Sequence, residues 1–510
     1  MMAAVFAAIA LLLTLPADVR IAFIPLDDRP ATERFPREVA SICGVSLELP
    51  PQQLLGHFTH PGDPAGLGRW LAGLDPRGLS AVVLSSDMLA YGGLVASRMP
   101  RMPLGDANFH LRAISRFHEA HPEVPIYAFG TVMRLAPTKI PETESYVEAL
   151  TNYAQLAGTA NPTDAQRAEL DTLRSHVPDD AFQGYIYARA RDFEIDKQLV
   201  ALTAQGDIAY LTLTQDDAGV DTGLQVPEQA RLHALVGSLG VRRRIFQNPG
   251  TDEMGMSMVT RAVEDAVGWT PSVDVIFSSE RGATAQDQYE YLPISRTIDN
   301  LIGLMRMTHA PGAADFSLFV QTPGTSSAES LALLDKLQSS VQGGTSSALV
   351  DLSFLDRDLL GQHQAVDELR RRGLSADLAS YASWNTTANS VGTALAQAGC
   401  GAIARHFGLD TRAANETFLF ERYVDDYAFR LDVRPALNDD MIRRGFDTYG
   451  LGDATDLAQS QLRRMLWRRA LDIFNEDFAP RGWINRRLNL YLPWPRTFEV
   501  QVESSLTRSM

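Results

Sequence analysis

The sequence predicts an α/β protein: a (β/α)8 TIM-barrel-like domain over residues 18–389, then a mainly helical domain over 390–510. Three observations predict it. Short β-rich runs recur, each followed by a stretch of helical period, as in parallel strands joined by crossovers. Nearly every run ends in polar or charged residues, as barrel strands do at their active face. After Asn385 the strand pattern stops and helical periodicity takes over. The alternative is an open doubly wound sheet, or two of them, whose polar ends would gather at a switch point.

The runs come in order. Residues 19–26 (VRIAFIPL) lead into Asp27-Asp28-Arg29-Pro30, and 79–84 (LSAVVL) into Ser85-Ser86-Asp87. Residues 125–132 (PIYAFGTV) lead to Arg134, and 208–215 (IAYLTLTQ) end in Asp216 and Asp217. Residues 244–247 precede Gly250-Thr251-Asp252-Glu253, and 273–277 precede Glu280 and Arg281. Residues 316–320, 348–350 and 378–382 follow, the last leading to Trp384-Asn385-Thr386. The runs outnumber an eightfold ring, so one is extra or misassigned. Helical period marks 108–121, 227–239, 256–267 and 328–342; Pro227 suits a first helical position. A helical insertion at about 136–207 separates the third and fourth strands and is placed to cap the site. Past Asn385, residues 390–407, 413–428 and 454–474 read as helices, and 488–503 as an edge strand. No internal repeat is visible.

Bulk properties bound the function. A chain of 510 residues accommodates a barrel and an appendage. A net charge of −16 excludes a general nucleic-acid binder, which needs a basic surplus for phosphates. It suits a neutral or cationic substrate, or bound cations. The arginine runs at 242–244, 370–372 and 463–469 read as solvated surface. Two cysteines, Cys43 and Cys400, exclude a cysteine metal framework. One long-range disulfide is open to them; two separate buried thiols are the expectation. Residues 5–15 (VFAAIALLLTL) are too short to cross a bilayer and have the length of a signal-peptide core, so residues 1–17 are expected to be removed on export. The mature chain is then periplasmic or extracellular, with no membrane span. A buried N-terminal helix is the alternative.

The chemistry centres on Asp216 and Asp217. Successive strand residues face opposite sides, but at a strand end both can turn to one mouth. Two carboxylates buried together repel, one keeps its proton, and a proton donor stands beside a charged partner. Glycosidic cleavage needs that pair. Asp27, Asp28, Arg29, Asp87, Arg134, Asp252, Glu253 and Glu280 end neighbouring strands and are candidate substrate contacts. Trp384 and Asn385 resemble a sugar subsite, a stacking face beside an amide. No nucleophile elbow, phosphate-binding loop or dinucleotide fingerprint is present, so no cofactor is expected. His57 and His60 lie in a Gly/Pro-rich loop and read as surface. Aspartates at one mouth also suit Ca²⁺ or Mg²⁺, which makes a divalent-metal-dependent hydrolase the rival reading.

Taken together, Pro25–Pro30, Ser86-Asp87-Met88-Leu89 with Tyr91-Gly92-Gly93-Leu94 and Ser97-Arg98, Gln215-Asp216-Asp217, Gly250–Glu253 and Trp384-Asn385-Thr386 resemble a bacterial family catalogued as a domain of unknown function, number 4127. That resemblance covers most of the chain and implies no activity. The strand ending in Asp216-Asp217 is also similar to the fourth barrel strand of O-GlcNAc-type β-N-acetylglucosaminidases. By that resemblance Asp216 would orient the sugar's acetamido group and Asp217 would be the general acid. The expectation is a glycoside hydrolase-like enzyme, for which the resemblance implies an N-acetylated sugar as substrate; a non-catalytic carbohydrate-binding protein is the further alternative.

Overall fold

The structure is a computed structural model and describes residues 19–217, 222–355 and 364–509. The expected signal peptide lies outside these residues.

The protein is α/β with parallel sheets, but the strands do not close into the expected ring. Among the described residues they form two separate open sheets. The first holds β1 (Arg20–Ile24), β2 (Ser46–Glu48), β3 (Leu79–Ser85), β4 (Ile126–Val132), β5 (Tyr210–Gln215) and β6 (Ile245–Pro249). Their order is β2-β1-β3-β4-β5-β6, all parallel. The second holds β7 (Ser272–Phe277), β8 (Thr308–His309), β9 (Phe316–Gln321), β10 (Ser347–Asp351) and β11 (Ser380–Ala382). Its order is β11-β10-β9-β7-β8, also all parallel. Read from the outer edge, both sheets wind the same way: out one strand, back past the first, then onward. Each therefore has a switch point, between β1 and β3 and between β7 and β9, where doubly wound folds open a crevice.

The strands form where continuous apolar runs can be covered on both faces. β4, β5 and β9 are buried at every position, the signature of a parallel sheet between helical layers. One apolar core runs from Ile21 and Phe23 through Met254–Val263 to Val391–Ile403, drawing on both sheets. Its central element is the helix Thr387–His406, rich in Ala, Gly, Ser and Thr and buried along nearly its whole length. Small side chains let it approach its neighbours closely: a Cβ on Gly392 would meet Glu253, and one on Gly399 would meet Met307. This helix, expected to begin the C-terminal domain, packs between the helix Met254–Val267 and strands β10 and β11.

Beyond it the chain is helical through Thr455–Ile473, then closes with an antiparallel hairpin of β12 (Trp483–Tyr491) and β13 (Gln501–Arg508). The region is therefore not helical alone, and the expected edge strand is half of a pair. The stretch after β4 carries the helices Val147–Ala157, Asp164–Ser175 and Asp179–Gln205. The last packs on β4 and β5 as an ordinary crossover; the first lies over a small core of Met133, Leu135 and Leu150.

Cys43 and Cys400 form a disulfide with their Cα atoms 4.6 Å apart, which corrects the expectation of separate thiols. It ties the end of the helix Phe35–Ile42 to the helix Thr387–His406, contacts that sequence separation hides. No helix of the described residues is long and apolar enough to cross a membrane.

Candidate functional site

The carboxyl ends of β1, β4, β5 and β6 meet the end of β11 in one cleft. Arg29, just past β1, is its anchor. Its guanidinium spans Asp27, with Nε 2.9 Å from both carboxylate oxygens, and Asp252 at the end of β6, with contacts of 2.7 and 3.0 Å. Such forked contacts fix orientation as well as charge. Burial pushes Asp252 upward, but the Arg29 charge and hydrogen bonds hold it below its ordinary value. Asp28 turns the other way. It accepts from Trp494 Nε1 at 2.7 Å and lies 2.7 Å from His57 Nδ1, so His57 is exposed yet engaged. Burial raises Asp28 despite both partners.

The two central carboxylates differ in surroundings. Asp216 is buried and ion-paired with Arg98. Burial raises its pKa; Arg98 opposes this and Asp217 reinforces it. Asp217 is the more exposed and accepts from Arg134 Nη1 at 2.9 Å. Its φ of +31° lies in the left-handed region, and this bend turns it out of the strand's alternation. Asp87 does not line the cleft. It lies beneath, accepting from the Thr131 amide and hydroxyl, and burial pushes it up to about 6. Glu253 is also below the surface, opposite Asn389 and the Thr251 amide, and burial pushes it up to about 8.

The cleft has two adjoining chambers that share Asp216, Asp217, Asp252 and Asn385. The first, of about 110 Å³, adds Arg29, Arg98, Arg134, Lys139 and Arg496, with Tyr449, Trp494 and Phe498 as aromatic walls. Arg496 is paired in forked fashion with Glu499, both contacts 2.7 Å. The second, of only about 20 Å³, adds Tyr289, Glu290, Thr386 and Asn389. Burial, with repulsion from Asp287, keeps Glu290 well above the usual carboxylate range, and it accepts the Ala388 amide at 2.6 Å.

Asp27 and Asp28 line neither chamber and stand behind Arg29 and Trp494, and two more expected contacts are elsewhere. Trp384 is 2% exposed, gives its Nε1–H to Thr393 at 3.0 Å and packs edge-on against Phe35. It is a core residue with no face for a sugar. Glu280 stands exposed after β7 on the second sheet and is not among the cleft-lining residues. The loop between β12 and β13 brings a second indole, Trp494, to the cleft wall, but it too is 2% exposed, its ring 5.2 Å from the Arg29 guanidinium carbon and 4.6 Å from that of Arg496, so the open aromatic surface is left to the half-buried Tyr449 and Phe498. Lys139, Glu290, Tyr449, Trp494 and Arg496 escape sequence reasoning because none ends a strand of the first sheet; Arg98 had a signal in the Gly-Gly turn before it. Among the described residues no three His, Cys, Asp or Glu side chains converge as a metal ion would require.

Comparison with known proteins gives a family and no chemistry. A family described as protein of unknown function (DUF4127) matches residues 21–503. No curated protein and no solved structure matches the chain.

Proposed function

The chain belongs to the DUF4127 family, and from its cleft we propose a glycoside hydrolase-like enzyme working through the pair Asp216 and Asp217. One observation carries this reading: Asp216 and Asp217 stand side by side between the first chamber and the second, which at about 20 Å³ has room for a water but not for a sugar unit, so a glycosidic bond held in the first chamber would have the acids and a water at hand. Hydroxyl-binding amides, carboxylates and arginines surround them, and the half-buried Tyr449 and Phe498 supply aromatic surface. Carbohydrate sites combine such groups.

The environments favour a division of labour. Asp216, buried and raised, is the better proton donor to the leaving oxygen. Asp217, on Arg134, is the partner on the sugar side. This reverses the assignment that the O-GlcNAc-type resemblance implies. Export is part of the proposal, because a disulfide joining Cys43 to Cys400 belongs in an oxidising compartment.

The experiment is a hydrolysis screen of chromogenic glycosides and bacterial glycans with wild type, D216N and D217N. Removing an acid/base group costs about 10²- to 10⁴-fold, so both variants should lose release by that factor. Equal release by all three would sink the pair. Loss of activity in EDTA would move the assignment to a divalent-metal-dependent hydrolase. A second reading has its own support: each cleft aspartate already faces an arginine, an arrangement that suits ligand holding without turnover. Sugars that raise the melting temperature while no product forms would select it.

A further inference from the structure

The charge of the first chamber runs against that of the chain. Acids outnumber basic residues 62 to 46 overall, yet this chamber gathers four arginines and a lysine around three aspartates. The arginines are spoken for. Each of the four faces a carboxylate of its own. Lys139 is different: its Nζ lies 4.8 Å from the centre of the Tyr449 ring, and no carboxylate pairs with it among the described residues. A ring face attracts an ammonium but leaves its charge uncancelled. Arg98 and Arg134 sit close enough that burial and the Arg134 charge together pull Arg98 below its ordinary value, against Asp216. A negative group entering here would relieve that crowding and meet Lys139. The residue choice agrees. Lys139 is one of only three lysines in a chain that otherwise uses arginine; an ammonium is a compact point charge on a flexible stem, suited to an incoming anion more than to a fixed fork.

We propose that the first chamber receives an anionic substituent of the sugar, a carboxylate or a phosphate or sulfate ester, and that Lys139 is the residue that selects it. The sugar rests on the glycoside reading above; the anion subsite rests on the charge arrangement alone.

The test is calorimetric titration of the whole protein at fixed ionic strength. The ligands are glucuronic acid, galacturonic acid, glucose 6-phosphate and glucose 6-sulfate, each beside its neutral sugar. Inorganic phosphate and acetate are run as sugar-free anions. K139M and K139R accompany wild type, with circular dichroism to verify folding. A charge-assisted contact is worth about tenfold to a hundredfold in affinity. Wild type should prefer at least one charged sugar by that factor, K139M should erase the preference, and K139R should recover part of it. The preferred member identifies the substituent. Charged and neutral sugars binding alike would refute the subsite and leave the carbohydrate reading standing. A preference that survives K139M would refute the role of Lys139. Binding of phosphate or acetate with no gain from the attached sugar would keep the anion subsite and remove the carbohydrate reading.

Discussion

Glu253 sets up a stability test that the structure makes quantitative. Its side chain is fully buried, and its Oε1 has no hydrogen-bond partner among the described residues. Desolvation lifts its pKa from the ordinary 4.5 to about 8 against the pull of Asn389 and Thr251. Between those values the folded protein keeps a proton that the unfolded chain has lost. The folded state thus binds more protons, and stability falls as pH rises. Each pH unit in the window is worth about 1.36 kcal/mol. The penalty is therefore about 3 kcal/mol at neutrality and about 5 kcal/mol above pH 8. Glu253→Gln keeps the shape and the acceptor facing Asn389, and it cannot ionise. Its new amide N–H₂ near the unpartnered position costs a constant amount at every pH. Urea unfolding at pH 5, 6, 7 and 8, at fixed ionic strength, should show the variant gaining on wild type steadily, by about 4 kcal/mol across the series. Parallel stability curves would refute the reasoning whatever their offset, because only the slope reports the proton.

Four further outcomes follow from the same structure. Arg29→Met should cost about 3 to 5 kcal/mol, since it leaves Asp27 and Asp252 facing each other in the interior; denaturant midpoints measure it. Replacing Cys43 and Cys400 together by Ala should cost about 2 to 5 kcal/mol, because the bridge joins positions 357 apart. Thiol counting under denaturing, non-reducing conditions should find no free thiol in the wild type. Trp384→Ala should cost about 3 to 5 kcal/mol as a core deletion. Trp494→Ala removes an equally buried indole and should cost a similar amount, but because Trp494 also walls the cleft it should in addition weaken ligand binding in titration; unchanged binding by the folded variant would remove Trp494 from the site.

Much of the fold was legible because buried parallel strands announce themselves. Each of the nine apolar runs overlaps a strand, from Arg20–Ile24 to Ser380–Ala382. Ring closure was not legible. A run such as Phe316–Gln321 has the same composition whether its sheet is open or closed; its neighbours decide, and they lie far along the chain. Ser46–Glu48 and Thr308–His309 are too short to leave a pattern. In the site, Asp27, Asp28, Arg29, Arg134, Asp216, Asp217 and Asp252 could be found because each closes a strand of the first sheet. Trp384 closes a strand too, and misled for that reason. Its burial is decided by Phe35 and by Thr393 on the next helix, partners that the local sequence does not reveal. Asp87 and Glu253 follow strands but are covered by neighbours, and became interior acids.

The hydrogen bond from Trp494 to Asp28 spans 466 positions, and this gives the cleft an order of assembly. Strand β1 and its acids are made early, but their aromatic wall arrives only with the loop between β12 and β13. Any nascent chain that stops short of that loop has both sheets' strands and an unroofed row of carboxylates and arginines. A single cut on either side of Trp494 would reach further in the finished protein, because Leu490, Leu492, Val500, Val502 and Leu506 around the loop belong to a second core shared with Phe319 and Leu349 of the second sheet. The hairpin thus acts as a clasp that couples competence to foldedness: opening it would unroof the cleft and loosen the second sheet's core together.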